Sequence, residues 1–237
     1  MNVIGFSGGK DSTALALRWA ELGKKAVLLF TPTGDEFKSL DKHIMKIHLK
    51  TGFSVVKPAV KYDLFSLINH WNALTNWRQR WCTRMLKIDP CKAWLYKHPK
   101  ARLLVGLRAD EEERKGLYSD QIETVFPLRE WGWGINEVWD YIDFHDVKVP
   151  KRTDCRLCFY QKVIEWYELY KTDRETYQKG IDLEDKTGYT FRSPGRDSWP
   201  ADLRSLAGEF ERGRKPKGNS DQMNLFDDID KCRVCSL

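Results

Sequence analysis

Ser7-Gly8-Gly9-Lys10-Asp11-Ser12 follows the short apolar run Asn2-Val3-Ile4-Gly5-Phe6. Paired glycines let the backbone turn sharply and come close to a ligand. Lys10 adds a point charge, and Ser7 and Ser12 add hydroxyls. From Thr13 to Leu22 apolar residues recur at helical spacing (Ala14, Leu15, Leu17, Trp19, Leu22), and Gly23 supplies a stop. A strand, a glycine loop and a helix N-terminus in that order build an anion site from backbone N–H groups and the helix dipole. The P-loop pattern needs Gly, four residues, then Gly-Lys-Ser/Thr, and this loop is too short for it. The stretch predicts a phosphate site of a different type.

Outward from the loop, strand-like and helix-like runs alternate. Ala26–Phe30 is a continuous apolar run, as in a buried parallel strand. Residues 35–51 read as a helix, Ser54-Val55-Val56 as a strand, and Asp63–Leu74 as a helix. Leu103–Leu107 and Glu123–Pro127 supply two more strands. The alternation predicts an α/β domain over residues 1–150, with a parallel five-stranded sheet flanked by helices. Ligands of such sheets sit at the carboxyl ends of the strands. The Ser-Gly-Gly-Lys loop, Thr31-Pro32-Thr33-Gly34 and Leu107-Arg108 all fall at such ends. Residues 151–237 read as a helical, cysteine-containing extension. Val163, Trp166, Tyr167 and Tyr170 share a helix face, Thr172–Glu175 fits a capping box, and a weak helical run covers Leu203–Phe210. The rest of 186–221 is rich in Gly, Pro and charge and reads as a loosely packed connection.

The 237 residues, 41% hydrophobic, suffice for a packed core, and no run approaches a membrane span. The N-terminus lacks the basic and apolar regions of a signal peptide, which predicts a cytoplasmic protein with no membrane partner. Its cysteines are then thiols or metal ligands rather than disulfides. Net charge is +6, and residues 76–102 carry eight Lys and Arg against Asp89 alone. The segment is either a solvated helical face or a site for a nucleotide or nucleic acid backbone. Trp77, Trp81 and Trp94 within it would suit base stacking, or a core.

Five motifs in order resemble the phosphoadenosine phosphosulfate (PAPS) reductase family of the PP-loop ATP pyrophosphatases, whose fold is of the adenine nucleotide alpha hydrolase-like kind. Ser7–Ser12 resembles its pyrophosphate loop, and Thr33-Gly34-Asp35-Glu36-Phe37 its D-T-G segment, with Pro32 in place of the usual aspartate. Arg80-Trp81-Cys82-Thr83-Arg84-Met85-Leu86-Lys87 resembles its R-W-C-T…L-K, and Gly106-Leu107-Arg108 with Glu111 and Arg114 its G-x-R…E…R. Pro127-Leu128, Trp131 and Val138–Ile142 resemble its P-L…W…V-W-x-Y-I. The resemblance implies an adenine nucleotide, ATP or PAPS/APS, with Mg²⁺. Ser7, Gly8, Gly9, Lys10, Asp11 and Ser12 would hold its phosphates, with Thr33, Gly34, Arg108 and Arg114 also at the nucleotide. Lys10 would offset charge on the leaving pyrophosphate, and Asp11 would orient Mg²⁺ or cap the helix. Arg108 would clamp a phosphate or pair at the surface with Glu111 or Glu112. Arg80, Thr83 and Lys87 would bind the second substrate. Lys10, Asp11 and Arg108 are the catalytic candidates.

The cysteines form a second set. Cys155-Arg-Leu-Cys158 and Cys232-Arg-Val-Cys235 are both C-x-x-C, which predicts a shared four-thiolate site for zinc or a [4Fe–4S] cluster. The other reading is a redox-active tail pair with Cys155 and Cys158 buried. The iron–sulfur adenylylsulfate reductases resembled here hold their cluster with an adjacent Cys-Cys pair and a later C-x-x-C. In this chain Trp81 stands at the first of that pair, so Cys82, Cys155, Cys158 and one tail cysteine form a further set. Cys91 has no partner motif and reads as structural. The tail Asp230–Cys235 lacks the E-C-G-(L/I)-H signature of sulfonucleotide reductases. The family also contains adenylating enzymes, among them a cluster-bearing sulfurtransferase-like member of DNA phosphorothioation. Three functions stay open: ATP cleavage to AMP and pyrophosphate with adenylation of an acceptor, sulfonucleotide reduction with release of sulfite, and nucleic-acid binding without catalysis. Partners would be a nucleic acid on 76–102, and a thioredoxin-like or sulfur-donor protein.

Overall fold

The computed structural model describes residues 1–114 and 121–218. Strands β1 (Asn2–Gly5), β2 (Val27–Leu29), β3 (Ser54–Val56), β4 (Arg102–Leu104) and β5 (Thr124–Val125) form one parallel sheet in the order β3-β2-β1-β4-β5. The central position of β1 explains its unbroken apolar sequence, since a strand covered on both faces has no polar side to present. Ile4 pairs in register with Leu28 and Leu104. These three face one core with helices α1 (Lys10–Glu21) and α2 (Lys38–Thr51). Val3, Leu29 and Leu103 alternate to the opposite face, against Leu95.

From β1 the chain builds β2 and β3 outward on one side, then crosses to build β4 and β5 on the other. The strand order reverses between β1 and β4. In open α/β sheets the crevice outside the carboxyl ends at such a reversal is where ligands bind.

Helix α3 (Leu64–Trp71) is capped by Asp63, whose Oδ1 accepts from Ser66 N at 2.7 Å. The next helical stretch is continuous but irregular: α4 (Trp81–Thr83), a π-helical turn (Arg84–Ile88), then α5 (Asp89–Tyr96). After β5 come the short α6 (Pro127–Glu130) and α7 (Ile135–Phe144), whose Val138 and Ile142 enter the α1 core. The extension holds α8 (Val163–Thr172), α9 (Arg174–Thr187) and α10 (Leu203–Glu211). Its core is shared with the α/β part: Trp166, Tyr177 and Leu203 pack with Leu64, Ile68 and Leu86. No helix among the described residues is long and apolar enough to cross a membrane.

Two local expectations are corrected. The cap of α9 is Asp173, not Thr172: Asp173 Oδ1 accepts from Thr176 N at 3.1 Å, while the Thr172 hydroxyl donates back to Glu168 O at 2.7 Å. The carboxylate wins because it also accepts from Thr176 Oγ1 and pairs with Arg156. The Gly- and Pro-rich stretch after α9 is not loose where it is described. Phe191 and Arg192 are each 1% exposed. Arg192 grips both oxygens of Asp197 at 2.8 Å and donates to Pro200 O. Composition marks turns there; it does not say whether they pack. Residues 219–221 of that stretch lie outside the described residues.

The buried Glu184 carboxylate organises this segment by accepting from Phe191 N at 2.8 Å and Leu203 N at 2.6 Å. Burial pushes its pKa up to about 7 from 4.5, against the pull of those two donors. The folded chain therefore keeps a proton that the unfolded chain releases, and stability falls as pH rises through that window. Between pH 4.5 and 8 the wild type should lose about 3 kcal/mol relative to the non-titrating Glu184→Gln variant. Urea denaturation across pH measures this, and parallel curves would contradict it.

Candidate functional site

The loop after β1 enters α1 without a side-chain cap: Gly9 is the N-cap residue. The first α-helical bond is Thr13 N to Gly9 O at 2.9 Å, so the N–H groups of Lys10, Asp11 and Ser12 lie ahead of it. The serines shape the loop itself. Ser7 Oγ accepts from Gly9 N at 3.3 Å and sits 3.2 Å from Ser12 Oγ, which donates to Gly9 O at 3.1 Å. Gly8 turns at φ 75°, where L side chains are strained. Behind the loop His43 bonds Thr13 Oγ1 at 2.8 Å, and burial first, then Lys46, lower its pKa to about 4, so it is neutral at neutral pH.

At the other side of the reversal, Gly106 explains how the loops meet. A Cβ there would stand 3.0 Å from the backbone carbon of Asp11, so only glycine lets the first turn of α1 rest on the end of β4. Two residues on, Arg108 is 3% exposed. Its Nη1 pairs with Asp11 Oδ1 at 3.1 Å, its Nε with Asp110 Oδ1 at 2.8 Å, and its Nη2 lies 3.9 Å from Glu111. The pairing with Glu111 expected at the surface is therefore buried and joined by two further carboxylates. Asp11 caps nothing. Burial raises its pKa, against Lys10 at 3.8 Å and Arg108. Arg114 pairs with Glu111 at 2.5 Å, and Arg129 binds the carbonyls of Arg108, Glu111 and Arg114.

A cleft with about 960 Å³ of atom-free space, part of it open to solvent, lies at the carboxyl edge. Phe30, Leu95, Val105 and Ile122 line it with apolar side chains, and Ser7, Lys87 and Thr153 with polar ones. The π turn places Lys87, Ile88, Cys91 and Lys92 of one helix along the same side, and π turns recur at functional sites. Cys91 thus lines the cleft, its pKa pushed by burial up to about 11.

Cys155 also lines the cleft. It reaches there because Asp35, 1% exposed, holds the C-x-x-C turn: its carboxylate accepts from Leu157 N at 2.8 Å and pairs with Arg156 at 3.0 Å, and its carbonyl accepts from Arg156 N. Glu36 and Cys155 form an antiparallel bridge beside it. A hydrogen bond with Cys158, then burial, hold the Cys155 thiol well above its ordinary range, against the Lys87 ammonium. Cys82 lies close enough to Cys158 and Lys87 to feel both charges, and burial raises its pKa as well. Among the described residues no three His, Cys, Asp or Glu side chains are grouped to hold a metal ion. Cys232 and Cys235 lie outside the described residues.

Of the nucleotide contacts expected from the sequence, Ser7 and Lys87 line the cleft, while Gly8 to Ser12 and Arg108 lie at the same carboxyl edge without lining it. Thr31 and Glu36 line the cleft rather than Thr33 and Gly34, because Thr33 is spent on Glu36: its N and Oγ1 donate to Glu36 Oε1 at 2.5 and 2.6 Å. Arg80 lies over the Tyr160 ring, Thr83 is buried, and Arg114 is committed to Glu111, so none of these three lines the cleft. Phe30, Thr153 and Cys91 are cleft residues that sequence reading did not assign. Phe30, at the end of a strand pointing to the edge, carried a usable signal; Thr153 carried none.

The family model described as "Phosphoadenosine phosphosulfate reductase domain" matches residues 1–154. Among curated proteins the chain is similar to two uncharacterized proteins of Methanocaldococcus jannaschii. One is 27% identical over 219 residues, covering 82% of this chain and 50% of that protein. The other is 25% identical over 191 residues, covering 73% and 38%. The chain thus spans half or less of the length of these relatives. Among solved structures it is similar to phosphoadenylyl-sulfate reductase from Candida auris in a phosphate complex, with 17% identity, TM-score 0.49, and 62% of this chain and 74% of that one covered. It is also similar to the U34-tRNA thiolase NcsA from Methanococcus maripaludis with its [4Fe-4S] cluster, with 16% identity, TM-score 0.49, and coverage of 100% and 80%. A third likeness is to Candida glabrata FMN adenylyltransferase with FMN and an ATP analogue, with 17% identity, TM-score 0.40, and coverage of 68% and 52%.

Proposed function

The chain belongs to the phosphoadenosine phosphosulfate reductase domain family, and on that premise we propose that it binds ATP in the carboxyl-edge cleft and cleaves it to AMP and pyrophosphate, adenylating an acceptor. The observation that carries this reading is where the cleft meets the loop: apolar Phe30, Leu95, Val105 and Ile122 line it together with Ser7, the first residue of a loop that leads into the uncapped N–H groups of α1, which suit phosphate. Lys10, three residues on from Ser7, would balance charge on the departing pyrophosphate. Arg108 would act by holding Asp11, and with it the first turn, in place. Asp11 already faces Arg108 and Lys10, so Mg²⁺ would travel on the phosphates rather than on this carboxylate.

The thiols fit a soft metal by their chemistry. Zinc or an iron–sulfur cluster would be held by Cys155 and Cys158, with further thiolates from Cys232 and Cys235. It would supply a Lewis-acidic or sulfur-binding centre at the cleft wall. The sulfonucleotide-reductase reading would place its nucleophile at Cys232 or Cys235, outside the described residues.

Anaerobic protein given ATP and, separately, PAPS with reduced thioredoxin tests the reading. ATP should yield AMP and pyrophosphate, and Lys10→Ala should lower the rate by about 10² or more, the scale of losing one oriented charge-stabilising group. Sulfite from PAPS, with no pyrophosphate from ATP, would replace adenylation by reduction.

A further inference from the structure

The helix from Trp81 to Tyr96 carries two sets of cations. Lys87 and Lys92 line the cleft. Arg78 just before the helix, Arg84 within it, and Lys97 and Lys100 just after it are exposed, the Arg84 side chain to 80%. They mark both ends of a rod about 24 Å long that forms one lip of the cleft. Asp89 is the one acidic residue of 76–102; it lies 3.7 Å from Arg84, and both side chains are open to water. Residues 76–102 net +7 and the whole chain +6, so the rest of the protein nets −1 and the excess positive charge lies in this segment.

Exposed indoles accompany the charge. Trp77 is 56% exposed, with the Arg78 guanidinium 4.8 Å over its ring. Trp71 is 41% exposed and meets Trp81 edge-on at 5.0 Å. Trp94, by contrast, stacks on His98 at 3.9 Å and packs against the sheet-side core, so it is not part of the surface. A solvated helix face needs cations but has no use for open indole faces.

We propose that this lip binds a single-stranded segment of nucleic acid. Phosphates would lie along Arg78, Arg84, Lys97 and Lys100, and unpaired bases would stack on Trp77 and Trp71. Stacking on indole needs a free base face, which a duplex hides. An acidic protein would use the cations and leave the indoles idle. The adenylated acceptor is then a nucleotide of the bound strand; that last step alone rests on the ATP-cleaving reading above.

Fluorescence anisotropy with a fluorescein-labelled mixed-sequence 20-nucleotide RNA, the DNA of the same sequence and its duplex tests this. One of the single strands should bind at least about tenfold tighter than duplex, and Trp77→Ala, at an exposed position, should weaken that binding about tenfold. The Arg78→Ala/Arg84→Ala pair should reduce the slope of log K against log salt by about 0.7 for each phosphate that is no longer neutralised. Lys10→Ala should bind the strand like wild type. Equal affinity for duplex, or no binding of either strand, overturns the proposal. So does competition by polyglutamate with Trp77→Ala silent, which would give the surface to an acidic protein. Strand binding without pyrophosphate release would sink only the ATP-cleaving reading, and pyrophosphate release without strand binding would sink only this one.

Discussion

Arg108→Ala should lose about 3–5 kcal/mol of folding stability, and its nucleotide affinity with it, because it takes the nearer cation from Asp11, a carboxylate the folded chain has already desolvated, and leaves it Lys10 at 3.8 Å. Asp11 and Glu111 have side chains 8% and 5% exposed. Burial already raises the Asp11 pKa, and Arg108 is one of the two cations that oppose the rise. Without it the carboxyl would take up a proton at higher pH or drag the first turn of α1 toward water. Arg108→Lys should recover only part of the loss, since an ammonium cannot reproduce a planar fork aimed at three acceptors. Urea denaturation reads the stability, and nucleotide titration on the remaining folded protein reads the site. An alanine variant as stable as wild type would show that these carboxylates are not held by this arginine.

Gly8→Ala should disable the phosphate loop while its stability falls by about 2–5 kcal/mol, the sum of backbone and packing costs. The backbone part arises because φ at Gly8 is 75°. The packing part arises because the new methyl would stand 2.2 Å from Leu40 Cδ1, and Leu40 is fully buried in the α1 core, so it has no water to retreat into. Gly23 separates the two contributions. It has φ 68° with nothing within 4 Å of a Cβ, so Gly23→Ala should lose only about 1–2 kcal/mol and leave nucleotide binding intact. Equal losses in thermal unfolding of the two variants would mean that Leu40 yields freely and that the loop tolerates a side chain.

The parallel sheet was legible because its signals are local. An apolar run before paired glycines reads as a covered strand entering a turn, and Val27–Leu29 and Leu103–Leu104 repeat the apolar run. Arg108 was legible as a site residue from Gly106-Leu107-Arg108, but its role was not. Nothing near it in sequence says that Asp11, 97 positions away, would meet it before a phosphate could. The C-x-x-C turn was visible as a pair of thiols. That it would form a wall of the carboxyl-edge cleft depends on Asp35 reaching Leu157 across 122 positions, a contact with no periodicity behind it. Asp35 itself reads as the first residue of the helix over 35–51 and as part of the Thr33–Phe37 motif. The compact stretch after α9 was misread for a related reason: Glu184 ties its ends together through two backbone N–H groups, and a carboxylate on a helix usually signals solvent.

The irregular turn at Arg84–Ile88 makes spacing, rather than chemistry, the sensitive quantity in this helix. Each residue of an α-helix advances the side-chain direction by about 100°, and a π turn takes up one extra residue without passing that rotation on. Pro90, with no N–H to give to the carbonyl four residues back, stands just past the turn. A residue inserted after the turn, between Ile88 and Cys91, has no such slack: it would swing Cys91, Lys92 and Leu95 off the cleft wall together by that angle.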